Sequence, residues 1–300
     1  MSIQAHPEIP EFDYVRPASL VEACRFLARH PKDARPFSGG TDLFVRMRDG
    51  LCQYRYLVDI KHLDGTERLH FDPQLGLTIG AAVNMNRVIA MPEVEQHYPL
   101  LAEAASSVAS YQLRTRATIA GNICNASPAG DTIGACLVMD AKLKVHGLEG
   151  ERSIPLSDFY LGPGNTVLAP GDIVTAVHLP TIQEGSTGKY IKLGRNRLSD
   201  LAIIGVTVFA QPTPDLHSGW RFRIALASVA PIPLVAIEAE AILAENIITE
   251  EVLERAARSA QQACTPIDDV RGSARYRKAM VHRLVYQALR IVWHNLEDKT

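Results

Sequence analysis

The residue types able to do chemistry concentrate in the stretch Thr118–Asp131, written Thr-Ile-Ala-Gly-Asn-Ile-Cys-Asn-Ala-Ser-Pro-Ala-Gly-Asp. Gly121 and Gly130 open backbone angles closed to other residues, while Pro128 fixes its own φ and removes a donor. Such a stretch cannot be one long helix. Thr118, Asn122, Asn125 and Ser127 add short polar side chains to a main chain otherwise built of small residues. A ligand can lie directly on such a backbone, with successive N–H groups aimed at a phosphate. Asp131 is suited to accept from a sugar hydroxyl, as acidic residues do in other nucleotide sites. The alternative is an ordinary turn-rich loop.

A second stretch of the same kind lies upstream: Phe37-Ser38-Gly39-Gly40-Thr41-Asp42-Leu43. It follows a short apolar segment and leads into Leu43–Met47, which reads as a helical turn. A glycine pair opening a helix offers free N–H groups and the positive end of the helix dipole to an anion. Neither loop is a Walker P-loop, because no Gly-Lys-Ser/Thr follows. Neither fits Gly-x-Gly-x-x-Gly between a strand and a helix. Two separate glycine-rich loops suggest a large ligand with two phosphates, gripped from both sides.

Further along, Lys192 lies near the end of a predicted strand and is followed by Arg195, Arg197 and Asp200. Taken alone this is a solvated charged loop, in which Asp200 orients one of the two arginines or caps the next turn. No Ser-His-Asp or Cys-His set is legible, so no residue is assigned a catalytic role. The five cysteines, Cys24, Cys52, Cys124, Cys136 and Cys264, are odd in number, widely spaced and form no Cys-x-x-Cys. They read as reduced apolar thiols, with no iron–sulfur cluster or zinc expected on this chain. The ten histidines include no His-x-x-x-His pair, and no metal ligands are assigned.

Charge excludes other classes of partner. The 31 basic and 33 acidic residues give a formal net charge of −2, so no basic field exists for nucleic acid or an anionic membrane. The longest apolar run, Leu201–Ala210, is broken by Gly205 and Thr207 and is too short to span a bilayer. The start, Met-Ser-Ile-Gln-Ala-His-Pro-Glu, lacks the charged and apolar regions of a signal peptide, and a cytoplasmic location is expected.

The elements that must position these residues fall into two or three units, as 300 residues favour. In a first unit, residues 1–55, Ser19 and Glu22 form a capping box. Leu20, Ala23, Cys24, Leu27 and Ala28 follow it at helical spacing. A second unit, 56–180, opens with a strand at Tyr56–Ile60, continues with another at Leu75–Ile79, and closes with Ile173–Val177 before Pro180. Within it Leu101, Ala104, Ala105, Val108 and Ala109 mark a helix running into the Thr118 loop. Ile133–Met139 forms a buried helical turn, and Leu143 and Val145 mark a strand. Gly185–Gly188 reads as a linker to a third unit, 189–300. Strands are expected there at Lys189–Leu193, Ala202–Phe209 and Trp220–Ser228. Helices are expected at Leu234–Ala244, after Thr249, and from Ser273 to about Leu296. Strands followed by helices indicate α+β rather than alternating βαβ units.

Ser-Gly-Gly-Thr-Asp-Leu at 38–43, with Thr-Ile-Ala-Gly-Asn-Ile-x-x-Ala-Ser-Pro-x-x-Asp at 118–131, resembles the FAD-binding medium subunit of the molybdenum hydroxylases. That family includes the flavin subunits of carbon monoxide dehydrogenase, xanthine dehydrogenase and 4-hydroxybenzoyl-CoA reductase. The likeness runs nearly end to end. It takes in Phe159-Tyr160-Leu161-Gly162-Pro163-Gly164, Lys192-Leu193-Gly194-Arg195 with Asp200, and Asp269-Val270-Arg271 with Tyr276-Arg277. Ala120 departs from the first glycine that many relatives carry, at little cost if its φ is negative.

The resemblance implies an α+β chain with a two-part FAD-binding domain of the PCMH/VAO type, then a C-terminal domain of a small antiparallel sheet plus helices. It implies FAD held by Phe37, Ser38, Gly39, Gly40, Thr41, Asp42 and Leu43, and by Ala117, Thr118, Ile119, Ala120, Gly121, Asn122, Ser127 and Asp131. Val108 and Val174 match positions lining the flavin, though as apolar residues they also read as core. Lys192 matches a lysine that approaches the isoalloxazine, where its charge favours a reduced, anionic flavin. It also implies a small 2Fe-2S subunit and a large molybdopterin-binding subunit in a dimer of heterotrimers. Electrons pass through the iron–sulfur subunit to FAD and on to an external acceptor. Some reductase-type relatives carry an extra cluster on a cysteine-bearing insertion, which this chain lacks. Two other readings stay open: a stand-alone flavin reductase of the same superfamily, such as an enolpyruvyl sugar reductase, and a flavin-free scaffold subunit.

Overall fold

The computed structural model describes residues 8–196 and 200–298. Three sheets carry the chain. The first is three-stranded and parallel: β1 (Asp13–Val15) and β2 (Ala34–Phe37) flank β3 (Tyr56–Asp59). The crossover from β1 to β2 is α1 (Leu20–Arg29). Its Ser19 cap accepts from the Glu22 N–H, while the Glu22 carboxylate reaches back to the Ala18 N–H. Between β2 and β3 lies α2 (Leu43–Arg48), and Phe37, Met47 and Leu57 form a small core beneath it.

The second sheet is antiparallel, with β4 (Leu69–Asp72) and β5 (Gly76–Gly80) followed in the sheet by β10 (Ile173–Leu179), then β6 (Lys142–Gly147) and β7 (Gly150–Pro155). Placing the late strand β10 in the middle closes this unit on itself. Helices α3 (Met85–Ile89), α4 (Pro92–His97), α5 (Pro99–Ser106), α6 (Tyr111–Arg114), α7 (Ile119–Cys124) and α8 (Asp131–Val138) form the long excursion between β5 and β6. A two-stranded hairpin, β8 (Tyr160–Gly162) and β9 (Asn165–Thr166), lies before β10.

The third sheet is antiparallel in the order β11 (Thr187–Leu193), β12 (Ile204–Pro212), β13 (Trp220–Ala227), β14 (Leu234–Val235). Period-2 alternation explains why β12 reads as one apolar run: both of its faces are buried. Ile204, Val206, Val208 and Ala210 pack on α9 (Ile237–Glu245), α10 (Glu250–Gln262) and α11 (Ala274–Glu297). Phe209, with Tyr190 and Ala225 of the neighbouring strands, joins the core of the preceding unit instead. Gly134 lets α8 lie against this sheet, since a Cβ there would collide with the Thr207 hydroxyl. The FAD-binding domain and the C-terminal sheet-plus-helix domain expected from the resemblance are both present.

Three local expectations need correction. The helix expected through Val108 and Ala109 ends at Ser106, and Ala109 adopts φ +44°. Side-chain donors take the carbonyls at its end: nearby Arg114 takes those of Ser106 and Val108, and Lys192, from the third sheet, takes that of Ser107. The helix expected from Leu234 starts at Ile237, because Leu234 and Val235 fill the free edge of β13. Thr187 and Gly188, read as linker, are the first residues of β11, paired with Ala210 and Phe209.

Candidate functional site

The first glycine loop leaves β2 at its C-terminal end and is pinned by Ser38, whose hydroxyl donates to the Ala81 carbonyl (3.0 Å). A Cβ on Gly39 would overlap the Arg116 carbonyl oxygen, so bare backbone is the only thing that fits there. Gly40 has φ +75° and sits 2.5 Å, measured from an ideal Cβ, from the Phe37 ring. Thr41, Asp42 and Leu43 then turn into α2. Burial pushes the Asp42 carboxyl above its ordinary range, while Arg46 and Thr41 pull it back. Among the described residues, no protein acceptor takes the backbone N–H groups of Ser38, Gly39, Gly40, Thr41 or Asp42.

The second loop meets the first through that Gly39–Arg116 contact. Ala117 accepts from the Met85 N–H (2.9 Å), and Thr118 bridges to Asn84 on the second sheet's side. Thr118 also caps α7 by accepting from the Gly121 N–H (2.9 Å). Ile119 and Ala120 are buried in the first turn of α7, so Ala120 has helical, negative φ and the missing glycine costs nothing. Asn122 accepts from the Thr132 hydroxyl (2.8 Å), which ties α7 to α8, and Ser127 accepts from the Ala129 N–H (3.2 Å). What the sequence presents as one loop is two short helices joined by a turn.

The segment ends at Asp131, the first residue of α8, where the third sheet arrives. Its carboxylate accepts from the Tyr190 hydroxyl (2.6 Å) and from the Lys192 ammonium (2.8 Å), and Lys192 also donates to the Ser107 carbonyl (3.0 Å). All three side chains are nearly enclosed: the side chains of Lys192 and Asp131 retain 15% and 7% exposure. Burial raises the Asp131 carboxyl above the ordinary range against the pull of Lys192 and Tyr190. Val108 follows Ser107 directly, its carbonyl held by Arg114 (2.8 Å). Val174 is buried in β10, beside Thr175, whose carbonyl accepts from the Ala81 N–H (2.8 Å). Ala81 thus links the Ser38 loop to the β10 strand.

Segment 117–131 is therefore touched from all three units of the chain. Gly39, just past β2, reaches it from the first, Asn84 and Met85, at the start of α3, from the second, and Tyr190 and Lys192, in β11, from the third. A fourth tie is the Ser228 N–H, which donates to the Pro128 carbonyl (2.7 Å). Ser228, at φ +64°, is held by Arg277, whose guanidinium also binds the Ile203 carbonyl and Asp269. Arg271 donates to Asp269 and to the Ala202 carbonyl, so Asp269, Arg271 and Arg277, which as sequence carried no role, brace this turn together. Arg195 and Asp200 pair at the surface (3.2 Å), and Asp200 is held down to about 2 by hydrogen bonds from Arg195. Arg197 lies outside the described residues.

Sequence reasoning missed Tyr190, Ser107, Arg114 and Ser228. Only Tyr190 left a signal: it stands two residues before Lys192 and so shares its face of the strand. The groove lined by Ile9, Phe12, Asp13, Phe44 and Arg55 contains none of the residues singled out from sequence.

Comparison with known proteins supplies an independent measure. Residues 10–182 match the family model described as the FAD binding domain in molybdopterin dehydrogenase, and residues 189–292 match the CO dehydrogenase flavoprotein C-terminal domain. The chain is 32% identical to the carbon monoxide dehydrogenase medium chain of Hydrogenophaga pseudoflava over 95% of its own length and 98% of the relative's. It is 29% identical to the xanthine dehydrogenase FAD-binding subunit of Escherichia coli O157:H7, covering 92% and 94%. Among solved structures, carbon monoxide dehydrogenase from Hydrogenophaga pseudoflava, in a form lacking the Mo-pyranopterin moiety, superposes with a TM-score of 0.91. The identity there is 33%, over 96% of this chain and 99% of that one.

Proposed function

This chain belongs to the FAD-binding medium subunits of the molybdenum hydroxylases, and from that premise we propose that it relays electrons from an iron–sulfur subunit through FAD to an external acceptor. It is an FAD-binding oxidoreductase subunit. The donor set fits the cofactor: five successive N–H groups at 38–42 lack protein acceptors among the described residues, and Gly39 leaves no room for a side chain between the two loops. A pyrophosphate has the charge and the acceptor count to satisfy such a set.

In this reading Ser38–Asp42 and Thr118–Asn122 hold the pyrophosphate. Phe37 and Leu43 fix the first loop from either end, and Ala117, Ile119, Ala120 and Ser127 shape the second. Val108 and Val174 would offer the flavin apolar surface, and Lys192, paired with Asp131, would offer it a positive charge. Bound FAD supplies a carrier that takes up and gives up two electrons. The chain's own residues bind it, orient it and set the charge around it. The partners are a small 2Fe-2S subunit and a large molybdopterin-binding subunit, in a cytoplasmic dimer of heterotrimers. Among the described residues, no helix is long and apolar enough to cross a membrane.

The observation that carries the reading is the convergence of all three units of the chain on segment 117–131 beside the unfilled donors of 38–42. The test is co-purification with metal analysis, followed by rapid-mixing reduction of the assembled complex. Flavin bleaching after the iron–sulfur signal, and only in the complex, is the expected order. Direct reduction of flavin by organic substrate in the isolated chain sinks the proposal.

A further inference from the structure

Lys192 does not stand alone at the site. Its ammonium has three N–H bonds, and two are committed, one to Asp131 and one to the Ser107 carbonyl. The third remains for a ligand. Asp131 in turn accepts from Tyr190 on its other oxygen, and a donor pair of this kind suits the ionised carboxylate, which only accepts. The Tyr190 ring is held where it is by the absence of a side chain at Gly205, since a Cβ there would lie 3.0 Å from the Tyr190 hydroxyl. Burial and the neighbouring Asp131 charge push the Tyr190 phenol well above its ordinary range, so it keeps its proton and its donor role.

The three groups form a counter-charge unit. A lone ammonium near a flavin favours added electrons; an ammonium with a carboxylate at 2.8 Å favours them less, because the opposite charge cancels part of its field. The Tyr190 hydrogen bond spreads carboxylate charge away from Lys192 and so restores part of that field. Resting on the FAD reading above, we propose that Asp131 and Tyr190 are positioning residues that set how much of the Lys192 charge the flavin feels, and hence its reduction potential. Tyr190 thereby gains a part in redox tuning that its buried, apolar-looking position conceals.

The test is the midpoint potential of FAD-loaded protein, measured by dye equilibration on four forms. Lys192→Met is expected to shift the potential down and Asp131→Asn to shift it up. Tyr190→Phe is expected to shift it down by less than Lys192→Met. A native protein that holds no flavin defeats the FAD reading itself. A flavin-loaded Tyr190→Phe protein with an unmoved potential defeats only this inference. If Tyr190→Phe fails to retain FAD, flavin-free protein still decides. Melting shifts of Tyr190→Phe and Lys192→Met that are non-additive in the double variant support the unit, and additive shifts overturn it.

Discussion

At the scale of single residues, the site depends on what is absent as much as on what is present. Gly39 is the sharpest case, because its neighbour is a carbonyl of the chain's other ligand loop. Gly39→Val is expected to part the two loops and abolish FAD retention, read from the flavin absorbance of purified protein; stoichiometric flavin in a folded variant would remove the loop from the site. Gly40→Val adds a side chain at φ +75°, where strain costs about 1–3 kcal/mol, and is expected to give the same loss. Gly121 is more forgiving, since its Cβ would meet only the Thr118 hydroxyl, at 2.8 Å. Its variants should weaken flavin binding without ending it. Arg277 is the structural counterpart. At 1% exposure it satisfies the Ile203 and Ser228 carbonyls and Asp269 together. Arg277→Met strands both carbonyls and leaves Asp269 to Arg271 alone, and denaturant unfolding should show a loss of about 3–5 kcal/mol.

At the scale of elements, the start of α11 and the turn before it carry a dense charge cluster. Asp269 is subject to burial, which pushes its carboxyl up, but hydrogen bonds from Arg271 and Arg277 outweigh this and hold it well below the usual range. The native state therefore keeps it ionised where the unfolded chain is protonated. In that window the unfolded state binds more protons, so stability rises with pH and falls as pH drops. The loss is expected to begin near the ordinary carboxylate pKa, about 4, and to continue below it. Asp269→Asn should flatten that part of a stability–pH curve measured by thermal unfolding; an unchanged slope assigns the acid sensitivity elsewhere. Asp172, also held below the ordinary range by its hydrogen bonds from Arg152, is the natural control for the background slope. Helix α8 gives a packing test. Gly134→Val drives a side chain into Thr207, and overpacking of this kind costs about 1–3 kcal/mol. Because α8 begins at Asp131, flavin affinity should fall along with stability.

At the scale of the whole molecule, the residues proposed to hold FAD come from all three units of the chain, and the electrons are proposed to arrive from another subunit. Partner dependence follows as an expected outcome. The isolated chain should bind FAD and oxidise no heteroaromatic, aldehyde or acyl-CoA substrate. Turnover should appear when iron–sulfur and molybdopterin subunits are added, measured by dye reduction. Robust turnover by the metal-free chain alone points to a stand-alone flavoenzyme.

The sequence by itself determined the two glycine loops, the order of most strands and helices, and the likeness to flavin subunits. These rest on local chemistry: glycine and proline act on their own dihedrals, capping residues act within one turn, and β12 declares itself by composition. It also singled out Lys192 and Asp131. It could not say that these two bind each other, nor that Tyr190 and the Ser107 carbonyl complete their coordination, because the partners lie 59 to 85 positions apart in sequence. The same reason hid the break after Ser106, where Lys192 claims the Ser107 carbonyl from 85 positions away, and the start of β11 inside a glycine-rich stretch, where a waiting sheet edge outweighs local flexibility. Long-range hydrogen bonding and burial are properties of the closed fold, and it was the fold that joined Lys192 to Asp131 and set Gly39 against Arg116.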